Sequence, residues 1–271
     1  MSLHSILTRQ LNWAADLPRK GHVLDRLTDN LFRPLHPATI AEFARGSGNE
    51  LGLSGRTAKM RSLRSSSALV CNVFDPWRGQ SFGPLVSALG VRGSFSEFAF
   101  EEKLSHGLST TPPNLDVVLY ALDATPLGIE SKFAEIYDSK MGYDPIDAKY
   151  FDSGRKRWAD LGLPSVQAVA ETLGRSVHFR RLDAGQLLKH ILGLANTFQE
   201  FRPVRLLYLW YDEPGDEAKE HADDLRRFEC AIEQDVEFRA VRYQDIFVAL
   251  KNAPEPSAGY IDYLARRYFA A

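Results

Sequence analysis

The sequence predicts an α/β protein, and three stretches lead to this class. A hairpin of two apolar strands is predicted within 114–135, where a short break at 123–126 separates two runs rich in Val, Leu and Ile. An amphipathic helix is predicted at 183–197, with Asp183 as its N-cap. The continuous apolar run at 204–210 is typical of a strand buried on both faces. Strands and helices in this order predict a sheet with helices packed against it.

Composition limits the broad class of protein. The 271 residues are enough for one large domain or two small ones, and 44% hydrophobic with 25% charged residues is the profile of an ordinary globular chain. The net charge of -2 neither requires nor excludes a nucleic-acid partner. Cys71 and Cys230 lie far apart and favour a reduced interior over a disulfide framework, and they do not suggest zinc. Without a secretion signal or a long apolar run, we expect a soluble, cytoplasmic protein with no membrane partner.

The region before the hairpin carries several candidate binding residues. Residues 1–45 read as helical pieces broken by prolines, and therefore predict an N-terminal helical arm or cap. The glycine-rich loop 46–55 is predicted to be a flexible connection, and it contains Glu50, a candidate acid. A helix is predicted at 57–74, with a serine run at 65–67 in its middle. The candidate phosphate-binding residues near its start are Arg56, Lys59, Arg61 and Arg64. A helix start with basic side chains can hold phosphates, although such a run is also typical of a solvated face.

The remaining elements are predicted from the periodicity of apolar residues and from the glycines and prolines that interrupt it. Before the hairpin, a helix is predicted at 82–90 and a strand at 96–104. After it we expect an insertion of loops and short helices at about 136–180, and later a helix at 216–234, a strand at 236–243 and a helix at 244–250. The insertion interleaves aromatic and basic residues, a composition found on nucleic-acid-facing surfaces and also in any half-buried insertion. A C-terminal tail, 251–271, is predicted to end in a helical turn at 260–268.

Three charged residues interrupt the apolar hairpin. Because side chains alternate along a strand, Glu130 and Lys132 share one face of the second strand, and Asp116 can approach them from the first. The apolar positions between them point to the opposite face. A salt-bridged, solvated Glu130–Lys132 pair and a turn-capping Asp116 are the structural alternative. On the following helix, Gln186 and His190 are four residues apart and therefore share a face.

This arrangement resembles the PD-(D/E)XK nuclease superfamily, in its restriction-endonuclease-like branch. The residues that carry the resemblance are Asp116 after two prolines at 112 and 113, the Glu130-Ser131-Lys132 triplet, and Gln186 on the next helix. The likeness covers roughly 46–212. It implies an αβββαβ core, a central mixed sheet flanked by helices, and a nuclease domain spanning about 46–250.

The resemblance also implies a chemistry. Asp116, Glu130 and the backbone carbonyl of Ser131 would hold Mg²⁺, for which Mn²⁺ can substitute, and Lys132 would orient the attacking water. Attack in line would leave a 5′-phosphate. Gln186, and with it His190, would line the same cleft, while Glu50 or an acid at 101 or 102, Glu101 foremost, would supply a further carboxylate. The expected activity is metal-dependent endonuclease cleavage of DNA in restriction, defence or repair, with RNA still open as a substrate. A homodimer is expected for double-strand cutting. The alternative is a catalytically inactive nuclease fold that binds nucleic acid or a protein partner.

Overall fold

The computed structural model describes residues 2–46, 48–52, 55–122, 125–138 and 145–269. Before the main sheet, the chain forms helix α1 (Ser2–Trp13), a small antiparallel pair of strands β1 (Arg19–Lys20) and β2 (Val23–Leu24), and helix α2 (Pro37–Arg45). Pro37 begins α2, where its missing N–H costs no hydrogen bond. Ile6 of α1 and Phe43 of α2 belong to the same apolar core as the main sheet. The predicted boundary at residue 45 therefore separates segments that share a core.

Helix α3 (Ser66–Phe74) begins nine residues later than the sequence predicted. Ser65 is its N-cap, because the Ser65 hydroxyl accepts a hydrogen bond from the Ala68 N–H at 3.1 Å. Upstream, the N–H groups of Lys59 and Met60 donate to the carbonyls of Asn49 and Glu50, so they are held by the preceding loop rather than by a helix. The prediction of a helix from residue 57 with a basic start was wrong, and the serine run lies at a helix start rather than in mid-helix. Helix α4 (Gly83–Ala88) follows.

A five-stranded mixed sheet lies at the centre of the fold. Its strands are β3 (Phe95–Lys103), β4 (Asn114–Ala121), β5 (Leu127–Lys132), β6 (Val204–Trp210) and β7 (Val236–Arg242), and they lie side by side in sequence order. Strands β3, β4 and β5 pair antiparallel, whereas β5, β6 and β7 pair parallel. The predicted hairpin and the doubly buried strand are both confirmed, since every residue of β6 is buried. This is the α/β architecture of a restriction-endonuclease-like core.

The parallel strands require crossover helices, and these cover the faces of the sheet. After β5 come α5 (Pro164–Thr172) and α6 (Ala184–Thr197), then α7 (Asp216–Ile232) after β6, and α8 (Tyr243–Leu250) and α9 (Tyr260–Leu264) after β7. Short 3₁₀ turns at Glu135–Tyr137, Ala148–Gly154 and Ala159–Leu161 fill the predicted insertion. A turn of π-helix, Ala265–Phe269, follows α9, and its Tyr268 is buried in the main core. No helix in the described ranges is long and apolar enough to cross a membrane.

Close packing at Gly128 fixes the position of α6 over the sheet. A Cβ atom added at Gly128 would lie 2.8 Å from Leu194 Cδ1 and 3.1 Å from Leu115 Cδ1, so a larger residue would have to displace these two buried side chains. Asp183 caps α6 as predicted, accepting a hydrogen bond from the Gln186 N–H at 2.8 Å. Residues 123 and 124 of the predicted hairpin turn lie outside the described residues, as do Lys140 and Tyr143, a basic and an aromatic residue of the predicted insertion.

Candidate active site

The antiparallel pairing of β4 and β5 brings the two predicted acids together. Val117 lies opposite Ile129, so one step further along this register Asp116 lies opposite Glu130. The Ser131 N–H donates to Asp116 Oδ2 at 2.7 Å, which ties the two strands together at this point. The Ser131 hydroxyl faces the other way and lies 2.7 Å from the hydroxyl of Tyr243. The strands therefore present the carboxyl groups of both acids on one side and anchor Ser131 on the other.

Lys132 joins Glu130 to helix α6. Its Nζ donates to Glu130 Oε1 at 2.5 Å and to Gln186 Oε1 at 3.0 Å. Glu130 is only 1% exposed and the Lys132 side chain 17%, so this is not a solvated surface pair. Burial lowers the pKa of Lys132, but the negative charges of Glu130 and Asp116 outweigh this effect and raise the pKa well above its usual value. Lys132 therefore remains an ammonium ion and cannot act as a neutral base.

His190 approaches the same carboxylate from its other oxygen. Its Nε2 lies 3.0 Å from Glu130 Oε2, and both side chains are about 1% exposed. Gln186 and His190 are four residues apart on α6, which places both over the end of β5. His190 is therefore packed in the interior and also contacts the carboxylate of Glu130. Burial opposes ionisation of Glu130, but Lys132 and His190 together lower its pKa to about 2.

The pKa of Asp116 is shifted in the opposite direction to that of Glu130. Burial and then the charge of Glu130 raise its pKa well above the usual range, although Lys132 and the Ser131 N–H oppose this shift. Two carboxyl groups in one buried site thus have pKa values pushed apart. Such a separation favours one ionised and one protonated carboxyl group, a pattern that is typical of functional sites.

Glu101 is a third acid of this site, and Asn114 is its partner. Glu101 lies on β3 next to β4, with a positive φ of 53° that is uncommon for a residue other than glycine. The Asn114 amide donates a hydrogen bond to Glu101 Oε2. Burial raises the pKa of Glu101 to about 7, against the effect of Asn114, and the charges of Glu50 and Glu130 add to the rise. Asn114 was missed as a site residue, although its place two positions before Asp116, on the same strand face, was the available signal.

Glu50 and two of the predicted basic residues meet in an adjoining cleft of about 330 Å³. Glu50 is buried and lies 3.3 Å from Lys59 Nζ. Arg64 and the serines of the α3 start line the same cleft, as do Ala134 and Glu135, which follow Lys132 closely in the chain. Arg61 is placed differently, since its Nε donates to the Leu24 carbonyl at 2.5 Å. Arg56 is exposed and does not line this cleft.

The side chains of the site decide whether the expected Mg²⁺ could bind there. Within the described ranges, no three His, Cys, Asp or Glu side chains form a group that could hold a metal ion. Mg²⁺ is commonly held by only one or two carboxylates, with water and substrate phosphates as its other ligands. Asp116 and Glu130 are such a pair, and the raised pKa of Asp116 reflects a buried negative charge that a cation would offset. The residues present therefore fit a divalent cation, provided that Glu130 Oε1 is released from Lys132.

Comparison with known proteins gives one family. A family model described as "Restriction Endonuclease associating with ARP" matches residues 13–269, nearly the whole chain. No curated protein matches the chain. No solved structure matches it either. The match supports a restriction-endonuclease-like family and a nuclease-like function. The chain belongs to the family that this model describes, "Restriction Endonuclease associating with ARP".

Proposed function

We propose that this protein is a metal-dependent endonuclease of the PD-(D/E)XK type that hydrolyses phosphodiester bonds in DNA. The observation that carries the proposal is the buried network in which Lys132 bonds both Glu130 and Gln186, beside Asp116 on the neighbouring strand. Two acids and a lysine so placed suit metal-assisted hydrolysis of a phosphodiester. The family match supports a nuclease-like activity independently of this geometry.

Asp116 and Glu130 would hold Mg²⁺, with the Ser131 carbonyl as a third ligand. The ion, when bound, would neutralise negative charge on the phosphate oxygens. Lys132, which stays an ammonium ion, would orient the attacking water and offset developing charge rather than remove a proton. Gln186 holds Lys132 in position, and His190 faces the oxygen of Glu130 that Lys132 does not use. Each polar group in the network thus has a separate role.

The test is cleavage of plasmid and oligonucleotide DNA with Mg²⁺ or Mn²⁺, with an RNA substrate in parallel. We expect Asp116→Ala and Lys132→Ala to lose at least about 100-fold in rate, because the first removes a proposed ligand of the ion and the second removes the ammonium group that would orient the water. Glu97→Gln is the matched control, since it alters an exposed carboxylate on the neighbouring strand β3.

The outcomes separate the alternatives. Equal cleavage by wild type, Asp116→Ala and Lys132→Ala would refute the site. Tight DNA binding without cleavage of any substrate would instead favour an inactive nuclease fold. Cleavage of RNA alone would keep the site but change the substrate.

A further inference from the structure

A second charged cleft lies at the opposite end of the sheet from the carboxylates. It has a volume of about 770 Å³ and is lined by four arginines, two glutamates and one exposed aromatic ring. The charged residues are Arg92, Arg202, Arg205, Arg239, Glu200 and Glu237. Four arginines and two glutamates give this cleft a net charge of +2. We call it the arginine cleft.

The strand register separates the arginine cleft from the candidate active site. Arg205 lies beside Leu127 at the start of β5, whereas Trp210 lies beside Lys132 at its end. Five residues of extended strand span about 17 Å. A ligand in the arginine cleft therefore does not touch Asp116, Glu130 or Lys132, and the cleft is a separate site.

Several arginines of the cleft are fixed in place by the backbone. Arg205 is 7% exposed at its side chain and donates to the Arg92 carbonyl at 2.7 Å and to Glu237 Oε2 at 3.1 Å. Arg202 donates to the Leu161 carbonyl at 2.8 Å, and Arg239 donates to the Gly90 carbonyl. A guanidinium carries five N–H donors, so Arg202 and Arg239 keep donors for a ligand. Their orientation is set before any ligand arrives.

The Arg92 side chain, unlike those of Arg202, Arg205 and Arg239, is not held by the surrounding residues that the structure describes. Its side chain is exposed and forms no hydrogen bond or ion pair with any other described residue, although its backbone carbonyl anchors Arg205. Glu237 is paired with Arg205, which leaves Glu200 as the other acid against three arginines. Preformed guanidinium groups with spare donors are typical of phosphate recognition.

An exposed aromatic ring adds a second kind of contact. Phe201 is 39% exposed at the cleft and directly precedes Arg202. A nucleobase can stack on such a ring, and aromatic stacking beside arginines is the composition of sites that hold unpaired nucleotides. We propose that the arginine cleft binds a nucleotide, with its phosphates on Arg92, Arg202 and Arg239 and its base on Phe201. The nucleotide is either free or the 5′ end of a single strand.

Isothermal titration calorimetry of the full chain tests this proposal. The buffer contains EDTA, which prevents metal-mediated binding of the probes at Asp116 and Glu130. The probes are ATP, inorganic triphosphate and a 5′-phosphorylated trinucleotide. We expect Arg92→Ala to weaken the binding of all three by about tenfold, through the loss of a charge-assisted contact. Phe201→Ala should weaken ATP and the trinucleotide several-fold and leave triphosphate unchanged. Arg26→Ala, which removes an exposed arginine outside the cleft, is the control and should bind as wild type does.

Three results would overturn the proposal. The first is no binding of any probe by the wild type, and the second is equal binding by Arg92→Ala and Arg26→Ala. The third is a Phe201→Ala effect that is as large for triphosphate as for ATP, since this would exclude base stacking. Tighter binding of the trinucleotide than of ATP would support the strand end as the natural source, and the reverse would support a free nucleotide.

Discussion

Replacing Glu101 with glutamine is expected to stabilise the protein at alkaline pH and not at acid pH. Burial raises the pKa of Glu101 from 4.5 to about 7. The folded state therefore binds more protons than the unfolded state between these values, and stability falls as the pH rises through this window. A shift of this size corresponds to about 3 kcal/mol at pH 8, at about 1.4 kcal/mol per pKa unit. Glutamine removes the charge and keeps an oxygen that can accept the hydrogen bond from Asn114.

Urea unfolding of wild type and Glu101→Gln at pH 4.5 and pH 8, in EDTA, measures this effect. We expect a free energy of unfolding up to about 3 kcal/mol higher for the variant at pH 8, and a difference near zero at pH 4.5. Glu97→Gln, an exposed carboxyl on the same strand, serves as control. Parallel pH curves for wild type and Glu101→Gln would refute the reasoning, because a titrating buried carboxyl must change the slope.

Two further predictions concern the core. Burial against Trp210 lowers the pKa of His221 to about 3, so the contribution of His221 to stability should fall by about 2 kcal/mol between pH 7 and pH 5, where the unfolded histidine becomes charged and the folded one does not, while Glu101 contributes in the opposite sense. His221→Leu should abolish this loss in urea unfolding, and an unchanged acid slope would contradict the assignment. Gly128→Ala should cost about 1–3 kcal/mol, because its methyl group would meet Leu194 at 2.8 Å. Gly83→Ala, which has room for a Cβ atom, is the control in the same thermal unfolding assay, and equal stability of the two variants would show that α6 can shift freely.

The sequence was most informative where function and periodicity coincide. Alternation along β5 placed Glu130 and Lys132 on one face, and helical spacing placed Gln186 and His190 on one face of α6, which the structure sets against them. Local rules decide both, since each pair lies within a single element. The start of α3 was missed because the hydrogen bonds that hold 59–60 come from the loop at 49–50, which periodicity cannot show.

Contacts between distant segments could not be worked out from the residue pattern alone. Glu101 was expected as a further acid only through the family resemblance, and its contact with Asn114 depends on the register in which β3 pairs with β4. The arginine cleft collects residues from the starts of β6 and β7 and from three loops, far apart in the chain. Such clusters depend on strand order, which composition and spacing do not specify. The proposed Mg²⁺, the DNA substrate, the homodimer and the cytoplasmic location stay predictions.

The mixed pairing of β5 has a consequence for how the site assembles during folding. Its antiparallel partner β4 is close in sequence, so the hairpin that apposes Asp116 and Glu130 can form early and in contact with water. Its parallel partner β6 lies more than 70 residues away, and α6 packs onto the sheet together with that crossover. We therefore expect desolvation of the carboxylates to accompany this long-range step, because contacts at high sequence separation carry a larger loop-closure cost than a local hairpin. On this expectation, the free-energy cost of burying the two carboxyl groups arises mainly in the last stage of folding, when the helix that carries Gln186 and His190 covers the strands.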